Sequence, residues 1–225
     1  MLLLAIAGAL LNIALDTLCI KLGIPLYLDT VFTVAVTLGG GVFWGVLTGT
    51  LTNLIGHSIR FWGWEGYLFT LCNIATALVT FLFVRLFPAE LSLTPHTLRE
   101  ESGQENSSAH AAKTFPNSSS SGRRIMDRIM VLIFLSASLC IAISVLGGLI
   151  SEFINFLRNP AGTGPASTAL GSAIFNQNFP PILVEILSRI PINIVDRLIT
   201  AFGGYGIAYA IVLKPFAKSP KSIQA

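Results

Sequence analysis

The sequence predicts an all-α integral membrane protein, a bundle of six transmembrane helices. Hydrophobic residues make up 53% of the 225-residue chain and charged residues only 11%, whereas charged residues form about a quarter of a typical soluble domain. The apolar residues form long continuous runs, which favours helices over the alternating pattern of a membrane β-barrel. The mean hydropathy of +0.74 agrees with this class, and the net charge of +3 is too small to indicate a nucleic-acid partner.

Six apolar spans follow one another along the chain. The first covers residues 2–22 and ends at the Gly/Pro-marked segment 23–28. Residues 26–59 are too long for one helix, since they would extend ~50 Å against a hydrocarbon core of ~30 Å. The triplet Gly39–Gly41 therefore predicts a turn between two short helices. The remaining spans after the first are predicted over residues 27–39, 42–58, 66–86, 125–157 and 182–213.

Two polar segments complete the organisation. Residues 87–124 are rich in Ser and lack apolar periodicity, which predicts a disordered linker. The chain thus divides into helices one to four (1–86), the linker (87–124), helices five and six (125–213) and a basic tail (214–225).

Lysine and arginine concentrate in the linker and the tail, so the positive-inside rule predicts that both are cytoplasmic. With six spans, the N-terminus is cytoplasmic as well. The segments 23–28, 57–66 and 158–181 then lie on the outer face of the cell membrane.

The last span carries a stripe of polar residues. Six of them fall in one sector of a helical wheel: Glu185, Arg189, Asn193, Asp196, Arg197 and Thr200. Each charge at mid-membrane costs ~2.5–3.5 kcal/mol, so the stripe must face protein, a partner or a watery cavity. Glu185 and Arg189 have the favourable i,i+4 order and either neutralise each other or bind ligand. Asp196 and Arg197 lie deeper and either hold the bundle together or dock a partner.

Two loops on the predicted outer face hold candidate binding residues. Asp29, beside Tyr27, is either an N-cap of the second helix or a substrate contact. The stretch "RFWGWEGY" is either an interfacial aromatic belt or a pocket wall that stacks a flat ligand. Its candidate residues are Arg60, Trp62, Trp64 and Glu65, and Asn73 follows within the next span.

The sequence offers no catalytic, metal or cofactor motif. The three histidines form no HExxH pattern, and the three cysteines lie in apolar runs without CxxC spacing. His57 precedes Ser58, but adjacent residues on a helix do not face each other. A Walker motif is also missing, so we expect neither an enzyme nor ATP hydrolysis by this chain.

Two stretches carry a family resemblance. "IPLYLDTVFTVAVTLGGGVFWGVLTGTLTNLIG" (24–56) resembles the second and third helices of substrate-binding S components of energy-coupling factor (ECF) transporters. "PINIVDRLITAFGGYGIAYAI" (191–211) resembles their last helix, where an Asp followed by a basic residue is common. Ala5 and Ala9 resemble the A-x-x-x-A face that S components present to a coupling subunit. Membrane sensor domains of some histidine kinases share these features.

The resemblance implies a subunit of an ABC importer that captures a vitamin-like molecule in an outward-facing pocket. A membrane coupling (T) subunit and two ATPase subunits would then drive uptake. The implied substrate-binding residues are Tyr27, Asp29, Arg60, Trp62, Trp64, Glu65, Asn73, Glu185 and Arg189. The implied partner-docking residues are Ala5, Ala9, Asp196 and Arg197. The alternative is a stand-alone membrane sensory domain with the same fold.

Overall fold

Every element of the described chain is helical. The computed structural model describes residues 1–60, 63–91, 93, 119–158 and 180–213. Its α-helices are α1 (Leu2–Leu22), α2 (Val31–Gly40), α3 (Val42–Arg60), α4 (Thr70–Leu86), α5 (Pro88–Leu91), α6 (Ser119–Arg158) and α7 (Pro181–Leu213). A 3₁₀ helix, Trp64–Phe69, leads directly into α4. The prediction of an all-α fold is confirmed for these residues.

The described ranges contain helices that are able to cross a membrane by their length and composition. Three segments are long and apolar enough to cross a bilayer, namely Leu2–Leu22, Trp64–Leu86 and Arg123–Arg158, and Val31–Gly40 is a shorter apolar helix. Large apolar side chains such as Leu3, Phe134 and Ile141 are exposed on the outside of the bundle. Soluble monomers rarely expose so much contiguous apolar surface, so this exterior fits a lipid environment.

The predicted glycine turn between the second and third helices is confirmed. Helix α2 ends at Gly40 and α3 begins at Val42, with Gly41 between them at φ +91°. Only glycine adopts this backbone region readily. Further along α3, a Cβ on Gly45 would overlap the Thr37 side chain, so the two helices touch backbone to side chain. This contact is of the small-residue type that membrane helices use to pack closely.

Asn12 of α1 connects three helices. Its amide nitrogen donates to Thr33 Oγ1 at 3.1 Å and to Thr52 Oγ1 at 3.2 Å. Its amide oxygen accepts the backbone N–H of Phe32 at 2.9 Å, in the first turn of α2. The orphan N–H groups of a helix N-terminus need such acceptors. Asn12 of α1 thus caps α2 from outside the helix. The predicted alternative, a side-chain cap from Asp29, is wrong, because α2 has no side-chain cap hydrogen bond of its own.

Two parts of the predicted linker are helical. Pro88–Leu91 forms the short α5, with Leu91 fully buried, and α6 already begins at Ser119. Apolar contacts of Leu91 and Leu93 with the core keep the chain ordered beyond α4. Residues 94–118 of the predicted linker, the predicted loop residues 159–179 and the predicted tail lie outside the described residues.

Candidate ligand-binding cavity

A cavity of about 380 Å³ lies inside one end of the bundle. It sits where α1 and α3 end and α4 begins, with the segment 23–30, α6 and α7 completing its walls. Apolar side chains form part of the lining: Ile20, Ile24, Phe69, Ile143 and Ile192. Polar and charged side chains also contribute: Asp16, Asp29, Thr52, Asn53, His57, Arg60, Asn73, Arg189, Asn193 and Arg197. This size and mixture are typical of a small-molecule site.

Three buried asparagines line the cavity. Asn73 donates to the Gly49 carbonyl at 3.4 Å, and Asn193 donates to Ser144 Oγ at 2.8 Å. The side-chain oxygen of Asn53 contacts His57 Nε2 at 3.1 Å, but its amide nitrogen has no hydrogen-bond partner among the described residues. A buried N–H without an acceptor costs about 1–3 kcal/mol. Asn53 is therefore ready to donate to a molecule in the cavity.

Asp29 places a carboxylate on the cavity wall beside these amides. It accepts a hydrogen bond from the Asn73 side chain. Burial raises the pKa of Asp29 to about 6, although the positive charge of Arg197 acts in the opposite direction. Asp29 precedes α2, so its position depends on the conformation of the segment 23–30.

Asp196 of α7 fixes that segment. Its Oδ1 accepts the backbone N–H groups of Tyr27 and Leu28, at 3.0 and 2.9 Å. Leu28 has a φ of +47°, in the left-handed region that costs a branched, non-glycine residue free energy. Arg197 contributes a third link by donating to Thr30 Oγ1. These contacts hold the backbone before Asp29 and the side chain of the residue after it, and so orient the Asp29 carboxylate.

Arginines accompany the other acids of this region. Arg60 pairs with Asp16 at 2.5 Å and also donates to Thr17. Arg197 pairs with Asp196 at 2.8 Å. Each pair places two charges next to the cavity, and each charge has the counter-ion that a buried ion needs.

Arg189 joins the polar and the aromatic lining. It donates to Ser151 Oγ and lies 3.8 Å from Glu185, which confirms the predicted i,i+4 pair. Its guanidinium carbon is 5.7 Å from the centre of the Phe69 ring, within cation–π range. The Arg189 Nε has no hydrogen-bond partner among the described residues, which leaves a second donor at the cavity.

The structure brings together five of the predicted substrate-binding residues and separates others. Tyr27, Asp29, Arg60, Asn73 and Arg189 line the cavity. Glu185 is buried behind Arg189 and does not line it. Trp64 is 59% exposed, and Glu65 bonds Arg158 at 3.0 Å, so neither side chain reaches the lining. Trp62 lies outside the described residues.

The four predicted docking residues are buried inside the chain. Ala5 and Ala9 share the inner face of α1 with Gly8, which approaches Phe32, Val36 and Thr48. Asp196 is fully buried and Arg197 is 3% exposed. In this structure the four side chains pack within the protein, and Arg197 also lines the cavity.

The predicted substrate-binding set lacked six polar lining residues: Arg197, which was predicted for docking, and Asp16, Thr52, Asn53, His57 and Asn193. Asn53 and His57 are four residues apart on α3, so they share a helix face. The signal that could have identified them is a polar pair four residues apart in an otherwise apolar helix. Both residues line the same cavity as the polar stripe on α7. Asn193 belongs to that stripe, which faces the protein interior as one of its predicted alternatives stated.

No family model, curated protein or solved structure matches this chain.

Proposed function

We propose that this protein is a membrane-embedded capture subunit that binds a vitamin-like small molecule in the cavity, as an S component of an ECF-type importer does. One observation carries the proposal: a cavity lined by buried amides and charges lies inside a shell of apolar helices. Polar side chains inside a membrane are costly to insert and usually mark a substrate pathway or binding site. Here they converge on one space large enough for a small metabolite.

Six membrane spans would be α1, α2, α3, α4, α6 and α7. Helices α3 and α7 carry more polar residues than the three most apolar segments, but those of α7 point inward. Glu185, Asn193 and Asp196 are buried, while Ile194 and Leu198 of the same helix are exposed. An α7 with this distribution presents an apolar face to lipid and a polar face to the cavity, which supports its role as a span.

The cavity would open to the outside of the cell. Arg85 at the end of α4 and Arg123, Arg124 and Arg128 near the start of α6 lie at the opposite end of the bundle. Positive residues favour the cytoplasmic side, which supports an outward-facing cavity. A captured ligand would then pass to a coupling (T) subunit with two ATPase subunits.

A thermal-shift screen in detergent tests ligand capture. Wild-type protein is heated with B-vitamins, nucleobases and related metabolites, and at least one compound is expected to stabilise it. Ile192→Trp fills the cavity from α7 and is expected to abolish that shift. Ile194→Trp places the same bulk on the exposed side of α7 and is expected to retain it. No stabilising compound, or equal shifts in both variants, would refute capture in this cavity.

An uptake assay separates import from sensing. Cells that contain the chain together with coupling and ATPase subunits should accumulate the radiolabelled compound, and Ile192→Trp should prevent this. Binding without ATPase-dependent accumulation would instead favour the stand-alone sensory domain.

A further inference from the structure

We infer that the ligand carries a basic nitrogen group, of amidinium or ammonium type, that pairs with Asp29. The inference rests on the proposed capture function and names the chemical class of the captured molecule. It follows from the distribution of charge around the cavity rather than from the volume of the cavity.

Four acids line the cavity or stand directly behind its lining, and three of them have an arginine. Asp16 pairs with Arg60, Glu185 with Arg189 and Asp196 with Arg197. Asp29 is the fourth, and within the described part of the chain its carboxylate has no ion pair.

The contacts of Asp29 do not neutralise its charge. Asn73 supplies a hydrogen bond from a neutral amide, and Arg197 acts from beyond ion-pair distance because it is held by Asp196 and Thr30. The Asp29 side chain is half-buried, and a charge that is partly withdrawn from water without a counter-ion is unfavourable, so folded proteins normally pair it. The structure nevertheless fixes the residues on both sides of Asp29 at the cavity wall, through the Leu28 backbone and the Thr30 side chain.

A ligand cation supplies the missing charge. An amidinium can donate two parallel N–H bonds to a carboxylate, as a guanidinium does. The side-chain N–H of Asn53 lies one helical turn from the Gly49 carbonyl that Asn73 contacts, and it would donate to a neighbouring oxygen or ring nitrogen of the same molecule. The isoleucines and Phe69 of the lining would cover its apolar part.

A matched series of four probes tests this inference on purified protein in lipid nanodiscs. Benzamidine, benzylamine, benzamide and benzoate share one ring and differ in their polar group. Isothermal titration calorimetry is expected to give the order benzamidine, then benzylamine, then benzamide, with benzoate weakest. The benzamidine affinity should exceed that of benzoate by at least about tenfold. Equal affinities, no detectable benzamidine binding or a preference for benzoate would overturn the inference.

The variant Asp29→Asn tests whether Asp29 is responsible. It is expected to bring benzamidine and benzamide to similar affinities, and a retained amidine preference would overturn the assignment. Asp127→Asn is the comparison, since it removes an exposed carboxylate near the start of α6, away from the cavity, and it should leave the probe order unchanged. The capture proposal and the proposed ligand class can fail separately. A metabolite that lacks a basic nitrogen, and whose binding Ile192→Trp abolishes, would support capture in the cavity and refute the proposed ligand class.

Discussion

Asp29→Asn should stabilise the empty protein while it weakens ligand binding. Burial raises the pKa of Asp29 from 3.8 to about 6. The folded state therefore binds this proton more tightly than the unfolded state, and the ionised carboxylate opposes folding at any pH above that range. A difference of about two pKa units corresponds to about 3 kcal/mol at about pH 8, and asparagine removes this cost.

The melting temperature of the unliganded protein measures this effect. A gain of about 3 kcal/mol would raise the Tm of a chain of this length by at most roughly 6–12 °C. The difference between Asp29→Asn and wild type should be largest at about pH 8 and should shrink towards about pH 5, where wild-type Asp29 becomes protonated. A variant that melts below wild type at every pH, with a constant difference, would refute the reasoning.

The same linkage makes ligand binding depend on pH. Benzamidine stays cationic in this range, so its affinity should fall as pH decreases below about 6, by up to about tenfold per unit. Arg197, Asp196 and Asp16 act electrostatically on Asp29, and ion pairs hold all three. His57 also lines the cavity, so the part of the pH dependence that belongs to Asp29 is the part that Asp29→Asn removes. An affinity that is constant from about pH 7.5 to about pH 5 would show that Asp29 does not hold the cation.

Two further predictions concern the scaffold. Asp196→Asn should lower the free energy of unfolding by about 3–5 kcal/mol, because it leaves Arg197 as a buried charge without its acid. Chemical unfolding in detergent measures this change, and an unchanged free energy would contradict the ion pair. Gly45→Ala should lower the Tm because the added methyl group overlaps Thr37. Gly39→Ala is the control, because a Cβ at Gly39 meets nothing within 4 Å, and its Tm should equal that of wild type. Equal melting temperatures of the two variants would contradict the close contact of α2 and α3.

The all-helical class and the positions of the apolar helices could be predicted because they depend on local composition. Long apolar runs specify helices wherever they lie, and Gly41 ended α2 because glycine accommodates its backbone conformation. Inward placement of the polar stripe on α7 followed from its single helix face.

The lining of the cavity could be predicted only in part, because it depends on contacts between distant segments. Asp196 bonds the backbone of residues about 170 positions earlier, and no local pattern indicates this. Trp64 and Glu65 looked like a pocket wall because they are aromatic and charged, yet they lie at its outside. Conversely, Asn53 has an ordinary local sequence, and only the packing of α3 against α1, α2 and α4 makes it a lining residue.

A structure of the protein with the strongest compound from the metabolite screen tests the central claim most directly. The account predicts that the compound lies in the cavity between α1, α3, α4 and α7. A basic nitrogen of the compound should lie about 2.7–3.0 Å from the Asp29 carboxylate. Density for the compound outside this cavity, or an anionic group placed against Asp29, would contradict it.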